Sequence, residues 1–179
     1  MTMTQTESLT LPASMEPDNP LWRYALACWQ KPHVAEACLS LQDQGWSVTR
    51  ILCAGWLGVN RRAFTGIEDA TVTEWREHVT GRIRSARKTI PRHHAPTHDL
   101  RSALAEAELQ AEQTELALAW QTLYERNPEV ASMQTCTSLI VQNLLSAAPL
   151  TTRELQSMTQ ITKLAELLAE HSRRSSEPC

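Results

Sequence analysis

Apolar side chains recur at intervals of three and four residues through most of this sequence, which is the spacing of one face of an α-helix. Residues 48–59 follow this spacing most closely. Their apolar positions are Val48, Ile51, Leu52, Gly55, Trp56 and Val59. We expect this segment to be the central core helix, and we expect another helix to cross closely at Gly55, where there is no side chain to obstruct it.

Prolines and capping residues divide the periodic pattern into separate helices. Asp18-Asn19-Pro20 offers a cap followed by proline in the first turn, and Lys31-Pro32 ends that helix because proline disfavours helical geometry in the preceding residue. Further boundaries are predicted at Gly45, Thr71–Glu74, Pro91, Asp99 in preference to Thr97, Asn127-Pro128, Pro149 and Thr151–Glu154. The sequence therefore predicts an all-α fold, a single helical bundle of about six to seven helices.

The domain organisation follows from where this periodicity begins and ends. Residues 1–17 are rich in Thr, Ser, Met and Pro without periodicity, which predicts a flexible N-terminal arm. Residues 18–171 form one all-α domain, consistent with a length of 179 residues, and residues 172–179 form a frayed tail. No apolar run reaches the roughly 18 residues that a membrane-spanning helix needs, and the N-terminus does not resemble a secretory signal. We expect a cytoplasmic protein with no membrane association.

Five cysteines are present, and no two have the spacing of a CxxC pair. An odd number without such spacing favours neither a disulfide framework nor a zinc knuckle. Four lie among apolar helical neighbours, which predicts buried core thiols, and the fifth is terminal. In chain order they are Cys28, Cys38, Cys53, Cys136 and Cys179.

Charge is distributed unevenly along the chain. Residues 61–101 carry nine Lys or Arg and five acids, whereas the whole chain has a net charge of −3. The candidate partner- or anion-binding residues are Arg82, Arg84, Arg87, Lys88, Arg92 and Arg101. Such a surface suits an acidic protein partner, a phosphorylated ligand or nucleic acid, but cations near a helix C-terminus also offset the helix dipole without any ligand. Four nearby acids, Glu106, Glu108, Glu112 and Glu115, are interpreted as a solvated helix face.

Recognised catalytic patterns are missing from the sequence. There is no GxSxG, HExxH or glycine-rich phosphate loop. His93, His94, His98 and Asp99 are the one cluster of metal-ligand types, but Pro96 interrupts the helix face that His94 and His98 would share. We therefore predict no catalytic residue, no metal site and no cofactor.

Tryptophan is concentrated in the first three helices. Trp22, Trp29, Trp46 and Trp56 are expected to meet in one aromatic part of the core. Bundles also build ligand pockets between helices, and Trp22, Trp29 and Trp56 are the candidate lining residues of such a pocket.

Three segments of the first half resemble a known family. They are LWRYAL at 21–26, VAEACLSLQD at 34–43 and ILCAGWLG at 51–58. In combination they are similar to domain-of-unknown-function family 2390, a proteobacterial family of small proteins, over about residues 21 to 123. The resemblance implies a bacterial, cytoplasmic, helical protein, and it transfers no catalytic residues.

These observations lead to three hypotheses. The first is a non-enzymatic adaptor or regulator that docks on a protein partner, or dimerises, through the basic surface and an amphipathic C-terminal helix. The second is a helical bundle that binds a small molecule, or acts on one, in a pocket between the Trp-bearing helices. The third is weak nucleic-acid binding, against which the sequence pI of about 6.1 and the lack of aromatic residues at 82–101 both argue.

Overall fold

The computed structural model describes residues 8–130, 133–150 and 158–174, with side chains up to Glu170. Its α-helices are α1 (Pro20–Trp29), α2 (Pro32–Asp43), α3 (Val48–Val59), α4 (Ala70–Trp75), α5 (Gly81–Thr89), α6 (His98–Arg126), α7 (Cys136–Ala147) and α8 (Met158–Arg174). A π-helical stretch, Arg76–Thr80, joins α4 to α5 without a break, so the described residues form seven helical rods. The prediction of an all-α bundle of about six to seven helices is confirmed.

Side-chain caps mark the starts of α1 and α3, and the N-cap residues of α4 and α6 differ from those predicted. Asn19 caps α1 by accepting a hydrogen bond from the Trp22 amide at 2.9 Å, and Ser47 caps α3. The predicted cap of α4 was two residues late, since Asp69 accepts from the Thr71 amide at 3.0 Å. Helix α6 begins at His98, so Thr97 and not Asp99 is its N-cap residue.

The predicted helix start at Asn127-Pro128 is wrong. The Asn127 side chain donates to the Leu123 carbonyl at 2.7 Å and accepts from the Thr65 amide at 2.9 Å, which ties the end of α6 to the loop after α3. Pro128 and Val130 then run beside residues 61–63 through backbone hydrogen bonds. The chain is therefore extended here, and α7 starts later, with Thr135 as its cap.

Helix α3 is the centre of the core, as the sequence predicts. Ile51, Ala54 and Leu57 are fully buried, and α3 packs against α1, α2, α6, α7 and α8. A Cβ atom at Gly55 would lie against the Tyr24 hydroxyl and Leu168, and one at Gly58 would meet Ile140. The close helix crossing expected at Gly55 is confirmed.

Helix α8 completes the core of the bundle. Ile161, Leu164, Ala165 and Leu168 are fully buried, and the helix packs on α2, α3 and α7. The predicted capping box at Thr151–Glu154 lies outside the described residues. None of the helices in the described ranges is long and apolar enough to cross a membrane.

The described part of the N-terminal arm has no regular helix before Pro20 and lies along α6. The Ser14 carbonyl accepts a hydrogen bond from the Gln121 amide group at 2.7 Å, and the Pro17 carbonyl accepts one from Gln113 at 3.4 Å. Because both partners are on α6, the arm covers one side of that helix.

Candidate functional site

Three of the six basic residues predicted to bind a partner, Arg84, Arg87 and Arg101, are bound to other groups of the molecule. Arg84 and Arg87 on α5 face α6, which runs back beside α5 after the turn at residues 90–97. Arg84 donates to Glu108 at 2.8 Å and to Glu112 at 2.7 Å, and Arg87 donates to the other oxygen of Glu108. We call Arg87, Glu108, Arg84 and Glu112 the cleft ion network.

The remaining basic residues have different surroundings. Arg101 donates to the carbonyls of Arg87 and Ile90, so it satisfies backbone groups at the end of α5. Lys88 lies 3.5 Å from Asp43, while Arg82 and Arg92 are exposed. Two of the six residues are thus paired with buried or half-buried acids, and a third serves as a helix cap.

The acidic face of α6 is not solvated as a whole. Glu108 and Glu115 are buried, Glu112 is half-buried, and only Glu106 is exposed. The interpretation as a solvated face was therefore wrong for Glu108 and Glu115. Their charges are accommodated because arginines on α5 and on the π-helical stretch face them.

A second ion network joins α3, the loop before α4, the π-helical stretch and α6, and it was not predicted from the sequence. Arg76 binds both oxygens of Glu68, at 2.7 and 2.8 Å, and also donates to Glu115 at 2.7 Å. Arg50 donates to Glu68, and the Thr49 hydroxyl donates to Glu115. We call Arg50, Glu68, Arg76 and Glu115 the core ion network. Its members are spread over 66 sequence positions, so no local pattern indicates them.

The electrostatics of the core ion network favour charged side chains. Burial alone would raise the pKa of the Glu68 carboxyl, but the guanidinium groups of Arg76 and Arg50 hold that pKa below its ordinary value. Burial would likewise lower the pKa of Arg76, and Glu68 and Glu115 raise it above its ordinary value instead. The network is thus a satisfied set of internal charges.

An apolar cleft of about 250 Å³ opens between α1, α2, α3 and α6. Its polar wall is Arg87, Glu108 and Glu112, with Thr49 and Gln42 nearby, and the rest of its lining is apolar. The apolar lining residues are Trp22, Ala25, Leu26, Trp29, Leu39, Val48, Leu52, Ala105, Leu109 and Leu116. Four of these, Leu26, Trp29, Leu39 and Leu109, are between 40% and 52% exposed and form a rim of large apolar side chains.

The tryptophans do not meet in one place. Trp22 and Trp29 line the cleft, but Trp56 does not. The Trp56 ring packs against Tyr24, with centroids 5.5 Å apart, and against Trp120 at 6.1 Å. The structure thus brings two of the three tentative lining residues together. Leu26, Leu39 and Leu109 were not predicted to line a pocket. Their position on the helices, away from the main buried stripe, is the feature of the sequence that could have indicated them.

Glu112 is the cleft residue whose charge is least compensated. Burial raises the pKa of its carboxyl above the ordinary value, Arg84 opposes this, and the charges of Glu108 and Glu115 add to it. The pKa of Glu108 is lowered instead, because its hydrogen bonds with Arg87 and Arg84 outweigh burial. Two arginines therefore compensate the negative charge of Glu108, whereas the charge of Glu112 is compensated only in part, by Arg84.

The thiols and histidines do not form a reactive site in the described residues. Cys28, Cys38 and Cys53 are buried, which confirms three of the predicted core thiols, while Cys136 is half-buried and Cys179 is not described. Burial raises the pKa of Cys28 to about 11 and that of Cys38 to about 12. His93, His94 and His98 are exposed, and the described ranges hold no group of three ligand types placed to bind a metal ion.

Comparison with known proteins identifies the family. Residues 20–119 match the family model described as "Protein of unknown function (DUF2390)", which is more than half of the chain. The chain belongs to the DUF2390 family. No curated protein and no solved structure matches it.

The region matched by the DUF2390 model contains the whole cleft. Its lining begins at Trp22 and ends at Leu116, and both ion networks also lie within residues 20–119. Helices α7 and α8 lie beyond the match, although they complete the core against α3. The DUF2390 segment thus contains the candidate site, and the C-terminal helices pack against α3, one of the helices that line the cleft.

Proposed function

We propose that this protein is a non-enzymatic cytoplasmic adaptor that docks on a protein partner by receiving an apolar side chain of that partner in the cleft. The observation that carries the proposal is the rim of Leu26, Trp29, Leu39 and Leu109 around a cavity floored by Val48, Leu52 and Leu116. Large apolar side chains that remain exposed together are typical of interaction sites, and tryptophan is enriched among interface residues that dominate binding.

The cleft is a better docking site than the two surfaces suggested by the sequence. The apolar face of α8 is already buried against the bundle, so it is not free to bind a partner. Arg84 and Arg87 are engaged by Glu108 and Glu112, so their charges are largely balanced within the molecule. No side chain in the described part of the chain fills the cavity that the exposed apolar rim surrounds.

The size and openness of the cleft favour a protein segment over a small molecule. Pockets for small molecules are usually about 300 to 1,000 Å³ and bury most of the ligand. The cleft has about 250 Å³, enough for one or two large side chains, and its rim extends outward over three helices. A partner helix that inserts an apolar residue would cover the rim as well as fill the cavity.

A site-specific crosslinking experiment tests the proposal. A photoreactive amino acid is placed at Leu39, on the rim, and the protein is irradiated in the cells that produce it. We expect a discrete crosslinked protein partner, purified and shown to bind directly, with binding weakened by Leu109→Gln. The matched control is Leu100→Gln, since Leu100 is on the same helix and 56% exposed against 52% for Leu109, but does not line the cleft.

Two outcomes would contradict the proposal. A partner that binds Leu109→Gln and wild type equally docks elsewhere on the molecule. Crosslinking only to a second copy of the chain would assign the cleft to a homodimer interface instead.

The second candidate function is binding of an apolar small molecule in the same cleft. The indole rings of Trp22 and Trp29 in the cavity wall favour it. Native mass spectrometry of the purified protein would show a bound mass that is lost in Leu52→Gln, and no protein would be crosslinked at Leu39.

A further inference from the structure

The two ion networks have the same composition but end differently. Each is a chain in which two arginines alternate with two glutamates, and each ends on a glutamate of α6. In the core ion network the terminal residue, Glu115, also receives the Thr49 hydroxyl, and its side chain is 1% exposed. In the cleft ion network the terminal residue is Glu112, whose side chain is 24% exposed.

Glu112 has acceptor capacity that the bundle does not use. Within the described part of the chain, Arg84 is the side chain that donates to it, through one oxygen. A carboxylate has two oxygens with about four acceptor positions. Because Glu112 also lines the cleft, a partner segment bound there would lie beside a carboxylate with unused acceptor positions.

We propose that the cleft selects a partner segment in which a lysine or arginine adjoins the inserted apolar side chain, and that Glu112 receives the cation. This inference rests on the proposed docking function and names the chemistry of the partner. The apolar side chain fills the cavity between Trp22, Trp29 and Leu52. The cation binds the carboxylate of Glu112, the terminal residue of the cleft ion network.

A cation suits the wall better than an anion does. The lining contains the carboxylates of Glu108 and Glu112 and the guanidinium of Arg87. Arg84, the arginine that binds Glu112, is not among the lining residues. Arg87 is already bound to Glu108, and Glu108 uses one oxygen for Arg87 and the other for Arg84. The exposed arginines, Arg82 and Arg92, are not part of the lining. An acidic segment would therefore meet Glu112 without a free counter-charge.

The titration of Glu112 agrees with this geometry. Burial and the nearby Glu108 and Glu115 raise the pKa of its carboxyl, which means that its negative charge is under-compensated in the free protein. A ligand cation placed beside it would supply the missing compensation. Ion pairs of this kind, screened from solvent on one side, contribute to specificity more reliably than to total affinity.

Peptide selection tests the inference without assuming a partner sequence. A displayed library of random linear peptides is selected on the wild-type protein, and binders that also bind Leu109→Gln are removed. We expect the remaining peptides to carry a large apolar residue with a lysine or arginine close to it. Selected peptides with acidic or uncharged neighbours would overturn the inference while leaving the docking function intact, whereas no enrichment at all would overturn the docking function.

A selected peptide then measures the role of Glu112 directly by calorimetry. We expect Glu112→Gln to weaken its binding about tenfold, as the loss of one partly desolvated ion pair implies. Glu106→Gln, an exposed control on the same helix, should leave affinity unchanged. Changing the basic residue of the peptide to glutamine should weaken binding to wild type but not further weaken binding to Glu112→Gln. Additive effects of the two changes would show that the peptide cation does not bind Glu112.

Discussion

The core and cleft ion networks place two arginines and two glutamates each in two different settings. The core network joins α3, the loop before α4, the π-helical stretch and α6, and every carboxylate in it has at least two donors. The cleft network joins only α5 and α6, and Glu112 has one donor among the described residues. Charged groups whose hydrogen bonds are all made within the protein connect its helices. A carboxylate with unused acceptor positions beside an apolar cavity is available to a ligand.

The difference follows from what surrounds each network. Arg50 reaches three backbone carbonyls, those of Gly66, Ser146 and Ala147, so the core network also fixes the loop before α4 and the end of α7. The cleft network borders open space on the side of Leu109 and Trp29. We therefore expect changes in the core network to act on stability and changes in the cleft network to act on binding.

The largest effect should come from removing the central cation of the core network. Arg76→Met leaves the buried carboxylates of Glu68 and Glu115 facing each other without Arg76, and we expect the free energy of unfolding to fall by about 3 to 5 kcal/mol. Urea denaturation measures this loss. Arg126→Met is the control, because it removes an arginine from a more exposed pair with Asp69 and should cost under about 1 kcal/mol. Equal losses in the two variants would mean that the core network is not a stabilising element.

The next largest effect is a difference in stability loss between changes to the terminal glutamates of the two networks. Glu115→Gln replaces a carboxylate that receives Arg76 and Thr49, and it should lower the free energy of unfolding by about 2 kcal/mol at neutral pH. Glu112→Gln replaces a carboxylate whose raised pKa shows that the fold disfavours its charge, so stability should stay within about 0.5 kcal/mol of wild type. Thermal and urea unfolding of both variants measure the contrast. A loss in Glu112→Gln as large as that in Glu115→Gln would remove the distinction between the networks.

The fold was largely predictable from the sequence, and the networks were not. Periodicity located α1, α2, α3 and the long α6 because each helix has its own apolar stripe, and side-chain caps mark the starts of α1 and α3. The false helix start at Asn127-Pro128 arose because the Asn127 side chain bonds to Thr65, a partner 62 residues away, which a local capping rule does not include.

The cleft network illustrates why the site was harder to predict than the helices. Arg84 and Arg87 are three residues apart, and Glu108 and Glu112 are four apart, so each pair lies on one helix face. The connection between α5 and α6 is short, so the arginine face of α5 lies opposite the glutamate face of α6. Taken one at a time, the arginines predict a surface patch and the glutamates predict a solvated helix face. Glu106, Glu108, Glu112 and Glu115 are equivalent in the sequence pattern. Three-dimensional packing therefore decides which of these carboxylates has few hydrogen-bond donors.

The smallest effect is a difference in pH dependence between the two networks. The pKa of Glu68 is lower in the folded than in the unfolded chain, so its contribution to stability is present above the unfolded pKa and is lost as pH falls through the folded pKa. The stability advantage of wild type over Glu68→Gln should therefore shrink as pH falls from 7 toward 3. The pKa of Glu112 is raised, so its contribution is present below the unfolded pKa and is lost as pH rises through the folded pKa. Wild type should thus gain stability relative to Glu112→Gln over the same fall in pH. Urea denaturation of the three proteins at several pH values measures both differences, and a change of the same sign in both would contradict the assignment of one network as complete and the other as open.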